Sequence, residues 1–195
     1  NVSFSPFYGI NLLIKNIIDK ILSVIFLIIS FPIIVLSCFF VLLEDGFPLF
    51  FKQKMTGWDG KTFYITKIRT LYKQSTDGGQ VIPRDKRITK VGGLLRRFSI
   101  DELPQLINVI RGEMSLVGPR PIIEEELEWY GEDHHELLSM QPGIFGSWTV
   151  KGRSRPEYPA RADLELSYVR EHSWLKDLRL LCEHVPVLLV GQSEE

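Results

Sequence analysis

The sequence predicts an α+β protein, predominantly helical, attached to a membrane by its N-terminal part. Three observations carry that expectation. Ile21 to Leu43 is a run of 23 residues without one charge, bracketed by Lys20 and Glu44. Later segments repeat apolar residues at helical spacing. Two short runs rich in β-branched and aromatic residues flank Gly57-Trp58-Asp59-Gly60, which reads as a small β-hairpin. Of the 195 residues 45% are hydrophobic and 24% charged, as in a folded protein, and a net charge of −1 gives no global field that selects nucleic acid. Cys38 and Cys182 make neither a disulfide scaffold nor a zinc site, and they fit a reducing, cytosol-facing environment. The expected organisation is a membrane-associated segment over 1–46, a cytosolic domain over 47–160, and a C-terminal amphipathic, interfacial helix over 161–195 that belongs to the same domain.

Taken in order, the apolar run comes first. At about 1.5 Å per residue it reaches roughly 35 Å, enough for a bilayer helix. It is too long for a signal-peptide core and lacks a convincing cleavage site. The competing reading is a buried helix of a soluble fold. Pro32, at the middle of the run, removes a backbone donor and crowds the preceding turn, so a kink or break is expected there. Ser30 could bond a freed carbonyl. Two geometries stay open: a kinked crossing, or entry, a turn at Pro32 and exit on the same side. Lys15 and Lys20 before the run balance Lys52 and Lys54 after it, which leans toward both ends being cytoplasmic. Phe7 to Asp19 carries Ile10, Leu13, Ile14, Ile17 and Ile18 on one face, so it lies along the membrane surface or continues into the apolar helix.

The hairpin strands are placed at Phe47 to Phe51 and Thr62 to Ile68. Lys52 and Lys54 read as a solvated face or as contacts to lipid headgroups. Lys67 and Arg69, two apart on a strand, share a face and are candidates for phosphate contacts. Gln74 to Val81, with Gly78-Gly79, reads as a loop. Arg84 to Arg97 holds six basic residues and one acid. That is a solvated face, or a functional one by its position just before a carboxylate pair.

The densest stretch is Arg96 to Pro121. It sets Asp101 and Glu102 near Arg96, Arg97 and Arg120. A carboxylate among arginines is drawn toward its charged form, which can attack phosphorus or bind a divalent metal. The arginines can hold phosphate oxygens. These are the parts of phosphoryl-transfer chemistry. A plainer account also exists, because both acids stand at a helix N-terminus where the dipole favours negative charge. Ser99-Ile-Asp-Glu fits a capping box, and Asp101 is the alternative cap because Pro104 would crowd a helix begun at Ile100. Capping accounts for the acids but not for the arginines. Leu103, Leu106, Ile107 and Ile110 are the expected buried stripe, closed by Arg111 and Gly112. Gly118-Pro-Arg-Pro is a stiff connector that holds Arg120 in extended backbone, ready for an anion or serving as a structural turn.

Glu124 to Glu136 has seven acids and no Lys or Arg, and reads as a surface helix. His134 and His135 point in different directions on a helix, which disfavours a metal pair. Gln141 to Arg153 is a glycine-containing loop that could cover a nucleotide or a sugar, or be an irregular connection, with Arg153 and Arg155 adding charge. Leu164 to Val190 returns to helical spacing. Trp174 and Val187 to Val190 suit an interfacial helix, and packing against the domain's own core explains them equally.

Lys67-Ile-Arg-Thr, Leu95-Arg-Arg-Phe-Ser-Ile-Asp-Glu-Leu-Pro-Gln-Leu, Asn108-Val-Ile-Arg-Gly-Glu-Met-Ser-Leu-Val-Gly-Pro-Arg-Pro and Gln141-Pro-Gly-Ile-Phe-Gly occur in that order. Together they resemble the bacterial sugar transferase family, the monotopic polyprenyl-phosphate phosphoglycosyl transferases, over about Ile18 to Leu189. The resemblance implies transfer of a sugar phosphate from a UDP-sugar to undecaprenyl phosphate at the cytoplasmic face of the bacterial inner membrane, starting a surface glycan. It implies Asp101 as nucleophile, forming a phosphosugar–Asp101 intermediate with release of UMP. Glu102 would support a metal or handle a proton. Mg²⁺ would be held by Asp101 and Glu102 and would neutralise diphosphate charge. Arg96 and Arg120, with Lys67, Arg69 and Arg153, would bind phosphate or substrate. It also implies a monotopic protein whose helix re-enters over 21–43, broken at Pro32, with lipid as a partner and a homodimer kept open. The chain departs from the family in having Phe31, not serine, before Pro32, and Ser147-Trp148-Thr149 after the last motif. The alternatives to this enzyme are a non-catalytic adaptor binding anionic lipid and a membrane-anchored phosphodiesterase.

Overall fold

The apolar run and the amphipathic stretch before it form a single helix, α1 (Pro6–Asp45), in a computed structural model that describes residues 6–73, 76–77, 80–81, 83, 85–147 and 158–190. One stripe of α1 is buried: Asp19, Ser23, Ser30, Ile34, Ser37 and Val41, at spacings of three, four and seven. The serines let the helix lie close to its neighbours. The rest of the run exposes large apolar side chains, among them Ile25, Ile29, Phe31, Leu36 and Phe40. The most apolar stretch of Leu12–Asp45 has a mean hydropathy of 3.0 and is only 28% buried, so by length and composition the helix is long and apolar enough to cross a membrane. The expected break at Pro32 does not interrupt the helix. The Ser30 hydroxyl donates to the Leu27 carbonyl at 3.4 Å, so the serine does supply a local backbone contact.

Both flanks of the run dock on the same globular body. Near the start, Lys15 bridges Asp19 (3.0 Å) and Asp177 (2.9 Å), the Ser115 hydroxyl donates to Asp19 at 2.5 Å, and Asn16 donates to Gln141 at 3.1 Å. At the far end Asp45 pairs with Arg69, and Glu44 accepts backbone N–H groups from Lys90 and Val91.

The hairpin is present as β1 (Phe50–Thr56) and β2 (Thr62–Ile68), antiparallel from Phe50 opposite Ile68 to Thr56 opposite Thr62. Its first strand starts later than the sequence suggested. Gly46 (φ 65°) ends α1, and Pro48 has no N–H for a ladder, so pairing begins beyond it. Asp59 (φ 56°) and Gly60 (φ 70°) make the turn. The segment expected to be a loop contains a two-residue antiparallel pair, β3 (Thr76–Asp77) with β4 (Gln80–Val81).

Thr89 caps α2 (Lys90–Arg97), its hydroxyl accepting the Gly92 N–H at 2.8 Å. A 3-10 turn follows at Ile100–Gln105, then α3 (Leu106–Arg111), ended by Gly112 at φ 78°. Beyond it β5 (Ser115–Val117) pairs in parallel with β6 (Gly143–Phe145). Between them the acidic segment winds as a 3-10 stretch, Glu124–Asp133, and a short α4 (His134–Leu137), not as one regular helix. The C-terminal helical region is two helices, α5 (Ala160–Arg170) and α6 (Trp174–Val190).

Phe63 and Ile65 of β2, Leu106 and Val109 of α3, Leu116 of β5 and Leu166 of α5 share the main core. Each such side chain contributes about 1.5–3 kcal/mol by leaving water. A smaller cluster joins Ile34 and Val41 of α1 to Ile68 and Leu95, and Leu27 and Leu103 touch both. The stripe predicted for α3 needs one correction: Ile107 is exposed and Val109 is buried instead.

Candidate active site

The 3-10 turn that carries Asp101 exists because the local sequence cannot make an α-helix there. Pro104 has no N–H and would clash with the Ile100 carbonyl in α winding, and Ser99 enters the turn in the left-handed region at φ 54°. The expected capping box does not form: Ser99 makes no side-chain cap bond, and the Glu102 carboxylate turns to Lys67, whose Nζ donates to Oε1 at 2.5 Å. Capping therefore does not explain Glu102.

Asp101 is 8% exposed. Burial raises its pKa from 3.8 to about 6, the Glu102 charge adds to the rise, and the Lys67 and Arg96 cations pull against it. The carboxylate is thus ionised near neutral pH but more basic than an exposed aspartate. Arg96 comes from the last turn of α2, where its Nε donates to the Thr70 hydroxyl at 2.8 Å. Arg97, its neighbour, lies over the Phe98 ring at 5.6 Å.

The structure brings Asp101 and Glu102, Lys67 and Arg96 together from three points of the chain. It uses Arg69 differently. That side chain is 8% exposed, and its five N–H groups are directed at the Pro48, Leu71, Asp45 and Gly46 carbonyls and the Asp45 carboxylate. Arg69 closes the C-terminus of α1 and has no N–H left for a phosphate in this arrangement. Arg120 follows β5 and lines a small cavity with Thr56, Gly57 and Leu137. Its charge is felt at Glu165, a fully buried carboxylate that accepts from Tyr130 (2.7 Å) and Arg161 (3.2 Å) and whose pKa burial pushes up. The backbone before Arg120 is pinned because Gly118 and Gly143 pass so closely that a Cβ on Gly143 would lie 2.1 Å from the Gly118 nitrogen. Arg153 lies outside the described residues.

Sequence reasoning missed His184, buried on α6 with its ring 4.8 Å from Phe145. Burial lowers its pKa while the Glu102 charge is among those raising it, so the imidazole stands within electrostatic reach of the site. No local pattern in the helix signals that. Glu44 and Asp45 were missed as well, although two acids closing an apolar run were a visible signal.

A divalent ion fits the donor set. Asp101 and Glu102 offer hard oxygens, which Mg²⁺ prefers. Among the described residues no group of three or more His, Cys, Asp or Glu side chains assembles, His134 and His135 included. The two carboxylates suit an ion that takes its other ligands from water and phosphate oxygens.

The sequence profile described as bacterial sugar transferase matches residues 10–191 of this chain. The chain belongs to the bacterial sugar transferase family. It is 36% identical over 182 residues to the uncharacterized sugar transferase EpsL of Bacillus subtilis, covering 93% of this chain and 90% of that one. It is 33% identical over 208 residues to the exopolysaccharide production protein ExoY of Sinorhizobium fredii, covering 96% and 89%. It is 34% identical over 187 residues to the UDP-glucose:undecaprenyl-phosphate glucose-1-phosphate transferase of Escherichia coli, covering 91% of this chain but 40% of that longer protein. Membership in this transferase family sets aside the non-catalytic adaptor.

Proposed function

We propose that this family member moves a sugar 1-phosphate from a UDP-sugar to undecaprenyl phosphate, with Asp101 as the nucleophile. The observation that carries the reading is a buried carboxylate, Asp101, set between Glu102 and the cations Lys67 and Arg96 on a turn packed against the apolar helix. In the first half-reaction an Asp101 oxygen bonds to the sugar-side phosphorus. The bond from that phosphorus to the bridging oxygen breaks, and UMP leaves with that oxygen. In the second, an oxygen of the lipid phosphate bonds to the same phosphorus and the Asp101 carboxylate is released. Lys67 and Arg96 oppose the charge that grows on the phosphoryl oxygens. Asp101 and Glu102 would hold Mg²⁺, which when bound neutralises diphosphate charge. Arg120, on its pinned backbone, is a second point for phosphate.

The docking of α1 bears on the membrane arrangement. Its two charged flanks bind one globular body, which supports a monotopic helix with both ends on the same, cytoplasmic, side rather than a crossing. The lipid phosphate would then meet Asp101 at the interface. The names of the relatives support a product that begins an exopolysaccharide or related surface glycan.

The test is a rapid-quench assay with UDP-sugars labelled in the sugar-side phosphate. Wild-type protein should release UMP in a burst without lipid acceptor and carry label that Asp101→Asn lacks. UMP formed only when undecaprenyl phosphate is present, with no labelled protein at any time, would refute the covalent route. Sugar phosphate released to water in place of lipid would support a phosphodiesterase.

A further inference from the structure

The acid at the end of α1 stands outside the transfer chemistry, yet it holds one wall of the site. Glu44 Oε1 accepts the Lys90 N–H at 2.8 Å, Oε2 accepts the Val91 N–H at 3.0 Å, and the Tyr72 hydroxyl donates to Oε1 at 3.2 Å. Lys90 and Val91 open α2, where the first N–H groups have no partner inside the helix and the dipole favours an anion. A carboxylate from a distant helix therefore completes the cap that Thr89 begins.

That cap at Lys90 lies six residues, about 9 Å, from Arg96 near the other end of the helix. The far end carries Arg96. Between them α2 is pressed on one spot of the chain: the Thr89 N–H donates to the Thr70 carbonyl at 3.0 Å, and a Cβ on Gly92 would lie 2.2 Å from that carbonyl. Thr70 also receives the Arg96 Nε. With Thr70 as fulcrum, a shift at the Glu44 end tilts the Arg96 end. The adjacent Asp45 binds Arg69, which closes the same end of α1.

We propose that Glu44 is a positioning residue for the transfer reaction: by binding the first N–H groups of α2 it sets where the Arg96 guanidinium stands beside Asp101. The seating of the membrane helix and the seating of an active-site cation are then one structural event. This inference rests on the reading of Asp101 as the reacting group.

The experiment uses the full chain in lipid nanodiscs and follows UMP release. Glu44→Gln keeps the shape but loses the charge and presents an NH₂ to one of the two N–H donors. Glu44→Asp keeps charge and both oxygens. Misplacing a charge-stabilising cation lowers turnover more than substrate binding, so Glu44→Gln should cut kcat about tenfold while KM for the UDP-sugar stays within about twofold. Glu44→Asp should restore kcat to within about threefold of wild type. Residues that act as a unit are non-additive, so the Glu44→Gln effect should vanish in an Arg96→Gln background. A kcat unchanged in Glu44→Gln, or losses that multiply with Arg96→Gln, would overturn the role. If Glu44→Gln melts below the assay temperature, Glu44→Asp decides: a loss that vanishes with Arg96→Gln supports it, and one that multiplies overturns it. A wild-type protein that releases no UMP would instead sink the Asp101 reading and this role with it.

Discussion

Replacing Asp101 by asparagine should abolish transfer and yet make the protein harder to unfold. The carboxylate is buried, and its pKa is raised from 3.8 to about 6, first by burial and then by the Glu102 charge. The folded state therefore prefers the protonated acid. Its favourable contribution is complete below pH 3.8 and is lost as pH rises through about 6. At pH 8 the ionised group costs the fold up to about 3 kcal/mol relative to a neutral one, taking roughly 1.4 kcal/mol per unit. Asparagine is nearly the same shape and never ionises. For a chain of this size the gain corresponds to a rise of roughly 6–10 °C in Tm. The assay is thermal unfolding of both proteins in one detergent with EDTA present, at pH 8 and again near pH 4.5. The advantage of the variant should be large at pH 8 and shrink toward the acid end. A variant no more stable at pH 8, or an advantage that grows on acidification, would mean that Asp101 is not strained by burial and that its cations fully compensate it.

Lys67→Met removes a cation that holds the Asp101 pKa down, so the acid limb of UMP release should move to higher pH; a pH–rate profile checks it, and an unmoved limb would place Lys67 outside the site. Arg69→Gln should behave as a folding defect, losing about 3–5 kcal/mol because it leaves the Asp45 carboxylate and several carbonyls unpaired. Melting curves read that loss, and activity per folded molecule should stay near wild type. Gly143→Ala should cost several degrees of Tm by forcing β5 and β6 apart, since its Cβ would meet the Gly118 nitrogen. EDTA should stop UMP release and excess Mg²⁺ should restore it, which a coupled UMP assay measures.

The cluster of Asp101, Glu102, Lys67 and Arg96 was legible in the sequence because most of its parts are close in the chain. Arg96, Asp101 and Glu102 lie within seven residues, and Lys67 was flagged by alternation on a strand. Arg69 shows the limit of that argument. Alternation gave it the face of Lys67, but the strand ends at Ile68, and the free carbonyls closing α1 outcompete any surface role. The long helix, the hairpin turn and the end of α3 at Gly112 followed from local rules of charge, glycine and proline. The parallel pairing of β5 with β6 did not, because three-residue strands 26 residues apart carry no periodic signal and are specified by the close passage of two glycines. The 3-10 turn at Ile100–Gln105 was half legible: Pro104 argued against an α-helix, but the capping pattern pointed the other way.

The contacts of each side chain bear on the competition between capping and catalysis at Asp101. A capping acid turns toward helix N–H groups, and in this chain Glu44 does so from forty-six residues away. Of the two acids that the local pattern nominates for that task, Glu102 instead accepts from Lys67, and Asp101 is buried where the charges of Lys67 and Arg96 act on it. The chain thus caps α2 with an acid from the end of α1, while Glu102 at the 3-10 turn pairs with a cation. A buried carboxylate such as Asp101, which costs the fold when ionised, works against stability. Such a residue is the kind that function, not folding, keeps in place.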